Sequence, residues 1–223
     1  MNNNSLDLLF FGSAGAAKAV YYWLKAANKV PGATQMHVLG FVEKDEESIG
    51  QPAFAGEKII ACDDNVEEII RKYDRIGAIV PFADARLKRA VVARLKKYPN
   101  VVFPNVFHPA VIFDEEGGGF GEGNYIGPGV VFESEYNIGN FNYIGNGVQF
   151  GHDLDCGDYN AILPACAIAG HVTIGSDCML GLNSSVIQEL TIADKVIVGA
   201  GAVVTRSLEE SGTYVGMPAK KIK

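Results

Sequence analysis

The chain is short of many things that would announce a function. No apolar segment approaches the roughly 20 residues that span a bilayer. The start, MNNNSLDLLFFGSAG, lacks a basic stretch followed by a long apolar one, so no secretory signal is expected and the setting is read as cytoplasmic. Positive charge is scarce: 19 Lys and Arg face 26 Asp and Glu, a net charge of −7, which excludes a basic nucleic-acid footprint. Four cysteines (Cys62, Cys156, Cys166, Cys178) show no CxxC or other zinc spacing and read as reduced, buried thiols. No metal site is expected. A strand followed by Gly12-x-x-Gly15 and a helix lacks the GxGxxG of a dinucleotide site, although a helix N-terminus there can still meet an anion. Histidines number only four: His37 in a strand, His108 in the segment PNVFHP, His171, and His152.

What remains is ordinary in amount, 48% hydrophobic and 20% charged over 223 residues, enough to bury a real core. It is written in two grammars. Residues 1–105 alternate strand and helix: strands at 6–12, 36–44 and 75–82, helices at 16–28, after Asp63-Asp64 through Arg71, and at 83–98. Such alternation predicts a small parallel sheet with helices on its faces, a Rossmann-like α/β domain. From residue 120 every sixth residue is apolar, from Phe120 and Ile126 through to Val198 and Val204, fifteen positions in a row. Chance gives such a run on the order of one time in ten thousand. Glycine often follows the apolar position, and a small or apolar residue often stands two before it.

A period of six is neither helix nor amphipathic strand. It fits a short strand plus a turn, repeated, with one side chain per unit aimed at a central axis: a parallel β-helix over 120–208. Residues 106–119, with their EEGGG run, read as a linker, and 209–223 as a C-terminal tail. Within the repeat, His152 lies between Gly151 and Asp153 in YIGNGVQFGHDLDCG, an abrupt polar cluster in scaffold text. Taken from periodicity alone, His152 is a solvent-facing residue on a coil and Asp153 and Asp155 are turn or surface residues.

The repeats YIGPGV, NIGNFN, YIGNGV and TIGSDC, the His-Asp pair, the segment AIAGHVTIGSDCMLGLNSSVI and the ending VGMPAKKIK together resemble the hexapeptide-repeat sugar acetyltransferases. This group includes bacillosamine and perosamine N-acetyltransferases and sialic-acid O-acetyltransferases. The resemblance implies a left-handed coil, a homotrimer with active sites between subunits, acetyl-CoA as cosubstrate and a nucleotide-linked (UDP, dTDP or GDP) amino sugar as acceptor. It implies that His152 is the general base and that Asp153 orients it. A histidine suits that task, because a neutral imidazole near physiological pH can take the proton of an attacking amine. It further implies that the Gly170 N–H receives the oxyanion, that Ala161, Leu182 and Ala200 line the pantetheine groove, and that Lys220 meets the cofactor's phosphates. The front domain would hold the nucleotide through Ala14, Gly15 and Ala16, Glu43 and Lys44, and Pro81 and Asp84. Departures stand beside the match. The family commonly has His at Ala16, Asp-Asp at Glu43-Lys44, Gly at Pro81, His at Ala161 and Glu at Gly151. O-acetylation of a sugar hydroxyl and a catalytically degenerate nucleotide-sugar-binding scaffold are the competing readings. His171, beside Gly170, reads as a surface residue.

Overall fold

A computed structural model describes residues 5–223, and the chain divides after Val106 into two units. In the first unit, β1 (Ser5–Phe11) leads into α1 (Ala16–Ala27) and β2 (Gln35–Glu43). Then come β3 (Ile59–Cys62), α2 (Val66–Ile70), β4 (Ile76–Ile79), α3 (Ala85–Leu95) and β5 (Val101–Val102). The strands form one parallel sheet in the order β3-β2-β1-β4-β5. β1 is a run of apolar residues because it is central and covered on both sides; Leu8, Leu9, Phe10 and Phe11 are all buried. α1 turns Ala17, Val20, Tyr21 and Leu24 inward, a helical spacing that the sequence already displays. The edge strand β3 is not among the sequence expectations; at four residues it is too short to show a period.

In the second unit, eighteen residues make one turn of a parallel coil. Ile144 pairs beside Ile162, and Ile162 beside Leu180. Three hexads per turn give three flat faces, each a parallel sheet. The first face contains Tyr136–Ile138, Leu154–Cys156 and Thr173–Ile174; the second contains Tyr143–Ile144, Ala161–Ile162 and Met179–Leu180; the third contains Gln149–Phe150, Ala167–Ile168 and Ser185–Val186. The fold is a left-handed parallel β-helix. The sixth-residue series lines its axis: Ile126 to Val204 are buried, and Phe120 packs partly exposed in the first layer. Each corner turns through a left-handed residue. Every sixth residue from Gly123 to Gly201 has φ between +54° and +71°, and ten of these are not glycine. The register of the stacked sheets therefore holds many residues in a backbone region that L side chains visit rarely.

A buried asparagine ladder ties successive turns at one corner. Asn124 Oδ1 accepts from the N–H and Nδ2 of Asn142 at 2.9 and 3.1 Å, and Asn142 Oδ1 accepts from Asn160 N–H at 2.8 Å. The four cysteines are free and buried, and burial pushes the Cys156 thiol up to about 12 and that of Cys178 to about 11, so neither is a nucleophile.

Two sequence expectations change here. Residues 107–119 are not a linker but the first layer of the coil. His108 N–H donates to Ile126 O, Ile112 bridges to Val131, and the Phe107 and Phe120 rings meet edge to face at 4.9 Å. The apolar residues of this segment overrule its glycines: Phe107, Val111 and Phe113 cap an otherwise open end of the core. Nor is 209–223 a loose tail. Gly212–Val215 adds a parallel strand to the second face beside Val196–Val198, and Lys220–Lys221 pairs back on it antiparallel.

Candidate active site

His152 stands at the corner between the third and first faces. Gly151 and Asp153 are bonded to neighbouring turns through their N–H groups, to Ile168 O and Ser134 O, and His152 between them through its carbonyl, which accepts from His171 N–H. Asp153 is the left-handed residue of the corner, φ 54°, which swings its carboxylate back toward the preceding ring. The result is a 2.6 Å hydrogen bond between His152 Nδ1 and Asp153 Oδ2. With Nδ1 so engaged, Nε2 faces outward as the atom able to exchange a proton. The hydrogen bond to Asp153 raises the His152 pKa above its ordinary value; the charges of Asp153, Glu133 and Glu135 add to this, and slight desolvation opposes it. The Asp153 carboxyl is held below its usual range, first by the bond to His152.

One turn further on, Gly170 lies directly against that ring. A Cβ built on Gly170 would sit 2.6 Å from His152 Nε2, so no larger residue fits while the ring keeps its place. The corner's regular hydrogen bonds use Ala169 N–H, to Val186 O, and His171 N–H, to His152 O. They leave the Gly170 N–H outside the ladder, on the residue that packs against the His152 ring. A base and an unspent backbone donor thus share one small volume, which suits a reaction that builds negative charge on an oxygen while removing a proton nearby.

An open groove of about 700 Å³ runs along the third face to this corner, lined by Gln149, His152, Ala167, Gly170, Ser185 and Ile187 among others. At the opposite edge of the same face, Leu182 and Ala200 stack one turn apart, joined by the Gly201 N–H to Leu182 O bond, and both are exposed. Neither is among the residues that line the groove. Nor is Ala161. It is on the second face, paired with Tyr143, and 1% exposed, so within this chain it lines no part of the groove. Lys220 is exposed on the closing antiparallel pair.

The sequence reading leaves His171 on the surface. The ring is indeed 55% exposed, but it stands over Asp153, with Nε2 3.6 Å from Oδ2, and meets the His152 ring edge to face at 5.0 Å. The signal for this lay in the spacing: 171 is 153 plus the eighteen residues of one turn. Asp155 is exposed and accepts from Asn137 Nδ2 at 3.0 Å, a surface role as expected. The polar atoms of His152, Asp153 and His171 lie within 4.8 Å of one another, but the shortest separation is already a histidine–carboxylate hydrogen bond.

In the first unit, a cavity of about 180 Å³ opens at the C-terminal ends of β1 and β4, where the strand order reverses. Ligands of open α/β sheets bind at that kind of point. Ala14, Glu43 and Pro81 line it with Gly12, Ser13 and Phe82. Glu43 is drawn inward by Ser13, whose N–H and hydroxyl donate to Oε1 at 2.7 and 2.5 Å. Gly12 has φ 84°, and a Cβ there would be 2.8 Å from the Phe82 ring, so the turn is closed by glycine for want of space. Gly15 and Ala16 start α1 just beyond the cavity and Lys44 is exposed after β2. Asp84 is spent otherwise: its Oδ1 accepts from the N–H groups of Arg86 and Leu87, capping α3.

Comparison with known proteins bears on the repeat and the fold. Residues 171–206 match the family model described as the hexapeptide repeat of succinyl-transferase. Curated relatives are UDP-3-O-acylglucosamine N-acyltransferases: 48% identity over 56 residues in Albidiferax ferrireducens and 46% over 50 in Delftia acidovorans. These matches cover 25% and 22% of this chain, and the chain spans only 17% and 15% of those proteins' length. Among solved structures, PerB from Caulobacter crescentus, in complex with CoA and GDP-perosamine, superposes with a TM-score of 0.85 at 27% identity, covering 97% of both chains. The acetyltransferase domain of PglB from Neisseria gonorrhoeae has the same fold, with a TM-score of 0.82 at 20% identity over 97% of this chain and 99% of that one. The chain is thus similar in repeat, over residues 171–206, to the hexapeptide-repeat family and in fold, over nearly its whole length, to solved sugar acetyltransferases.

Proposed function

We propose that the protein is an acetyl-CoA-dependent N-acetyltransferase that modifies the amino group of a nucleotide-linked deoxyamino sugar. The observation that carries this reading is the corner itself: His152 fixed through Nδ1 by Asp153, with Nε2 packed on Gly170 at the end of an open groove. The sugar amine attacks the thioester carbonyl, and Nε2 of His152 takes the proton that the nitrogen must lose. Asp153 stabilises the imidazolium so formed. The Gly170 N–H donates to the oxyanion of the tetrahedral intermediate. Collapse expels the CoA thiolate, which the proton held on His152 neutralises. Leu182 and Ala200 flank the pantetheine arm along the third face, and Lys220 meets the cofactor's phosphates. The cavity at β1 and β4 takes the nucleotide, with the Ala14–Ala16 turn and Glu43 around it. UDP, dTDP and GDP carriers all remain in the substrate class; the likeness to a GDP-perosamine complex supports an amine as acceptor over a sugar hydroxyl.

A single coil is convex, so a neighbouring subunit completes the site in a homotrimer. The test is release of free thiol from acetyl-CoA against a panel of amino-sugar nucleotides, run beside His152→Ala. The substitution is expected to reduce turnover by at least about a hundredfold while the assembly stays folded. Retention of most activity would overturn the assignment of the base, and an alkali-labile product would replace the amide reading with ester formation.

A further inference from the structure

The coil brings a second imidazole to the same carboxylate. Asp153 and His171 occupy equivalent left-handed corner positions one turn apart, with φ of 54° and 55°. The bond from His171 N–H to His152 O, 2.9 Å, locks the two corners in register. Asp153 Oδ2 consequently faces His152 Nδ1 at 2.6 Å and His171 Nε2 at 3.6 Å, and the rings stand at 90° to one another. We propose that His171 is a positioning residue of this site: by sharing Asp153 with His152, it holds the carboxylate between two rings and keeps His152 available as a free base. This deepens the acetyltransferase reading and rests on it for its purpose, though not for its geometry.

The need for such a partner is visible in the charges around His152. Glu133 and Glu135 from the preceding turn, and Asp153 beside the ring, all favour the protonated imidazole. Glu189 continues the same corner one turn beyond His171, bonded through its N–H to Gly170 O. A lone histidine in that field holds its proton more tightly and is a base for a smaller fraction of the time. A second ring on the shared oxygen opposes this: positive charge on His171 weakens the hold of Asp153 and repels a proton on His152.

The experiment is an NMR titration of the His152 ring in the intact protein, with the pH profile of kcat/KM recorded in parallel. His171→Asn suits the left-handed corner and removes the second titrating ring. His171→Lys puts a permanent positive charge in the same place. The His152 midpoint is expected to lie higher in the Asn variant and lower in the Lys variant than in the unsubstituted protein, with the acid limb of kcat/KM following each. A midpoint that is the same in all three proteins would reduce His171 to a surface ring. Opposite shifts in the titration, with no acetyl transfer to any nucleotide sugar by the unsubstituted protein, would uphold the coupling and sink the acetyltransferase reading instead.

Discussion

Replacing Gly170 by alanine separates catalysis from stability more cleanly than any other change in this protein. The added methyl would lie 2.6 Å from His152 Nε2 and 2.7 Å from Cε1. Ordinary contact needs about 3.5 Å, so one partner must retreat by about 1 Å. The Gly170 backbone cannot, because its neighbours Ala169 and His171 are bonded to Val186 and His152. The half-exposed His152 ring can. Moving it off its rotamer costs about 0.5–1.5 kcal/mol. The backbone of Gly170 is outside the left-handed region, so alanine also restricts the unfolded chain and returns about 0.4–1 kcal/mol. With the exposed bond to Asp153 included, stability should therefore fall by no more than about 2 kcal/mol. Activity should fall further: a misplacement of 1 Å at a reacting group is worth about a hundredfold, and the displaced ring also loses its 2.6 Å bond to Asp153. Initial rates of thiol release and a urea unfolding curve, measured on one preparation, decide the matter. A Gly170→Ala protein with undiminished kcat would refute the placement of the reaction at this corner.

Two further outcomes follow from the same geometry. Asp153→Asn tolerates the left-handed corner but removes the charge that raises the His152 pKa, so the acid limb of kcat/KM should move down toward the ordinary histidine value of about 6.5 while the plateau falls at least about tenfold; an acid limb at unchanged pH would contradict the pairing. Asn142→Ala opens the asparagine ladder: Asn124 Oδ1 keeps the backbone N–H of residue 142, but the Asn160 N–H is left buried without its acceptor, which should cost about 1–3 kcal/mol in chemical denaturation at unchanged fold.

The pair's contribution to stability has a defined pH window. The raised His152 pKa contributes fully below about 6.5 and is lost as pH climbs through the folded value; the lowered Asp153 pKa contributes fully above about 3.9 and is lost on acidification. The ionic pair thus steadies the corner between those limits. The base is needed neutral above them, so the protein is expected to work best where this one contact stabilises it least.

The coil was legible because its physics is local and repeated. One apolar residue per six must reach the axis, and Ile126 to Val204 do. The faces were not legible to the same degree, since membership in a face depends on position modulo eighteen. That is why Ala161, which the family pattern associates with the groove, lies buried on another wall, while His171, passed over in the sequence, stands over Asp153. The first layer failed for a different reason: Gly117, Gly118 and Gly119 mask the apolar residues that seal the end of the core. In the front domain, the helical and central-strand patterns could be read, but the inward pull of Ser13 on Glu43 is a tertiary contact thirty residues long and leaves no trace in composition.

The eighteen-residue turn also sets what evolution can do to this chain. His152 and Gly170 are neighbours in space because they differ by one circuit of the wall, so the spacing between them works as an address. A stretch of six added between them would carry the donor to a different side of the prism, and a stretch of one would spoil every rung above. New sequence can enter only by leaving the wall at a corner and returning to the same point, which directs any future change of substrate preference to outgrown loops and to the front domain.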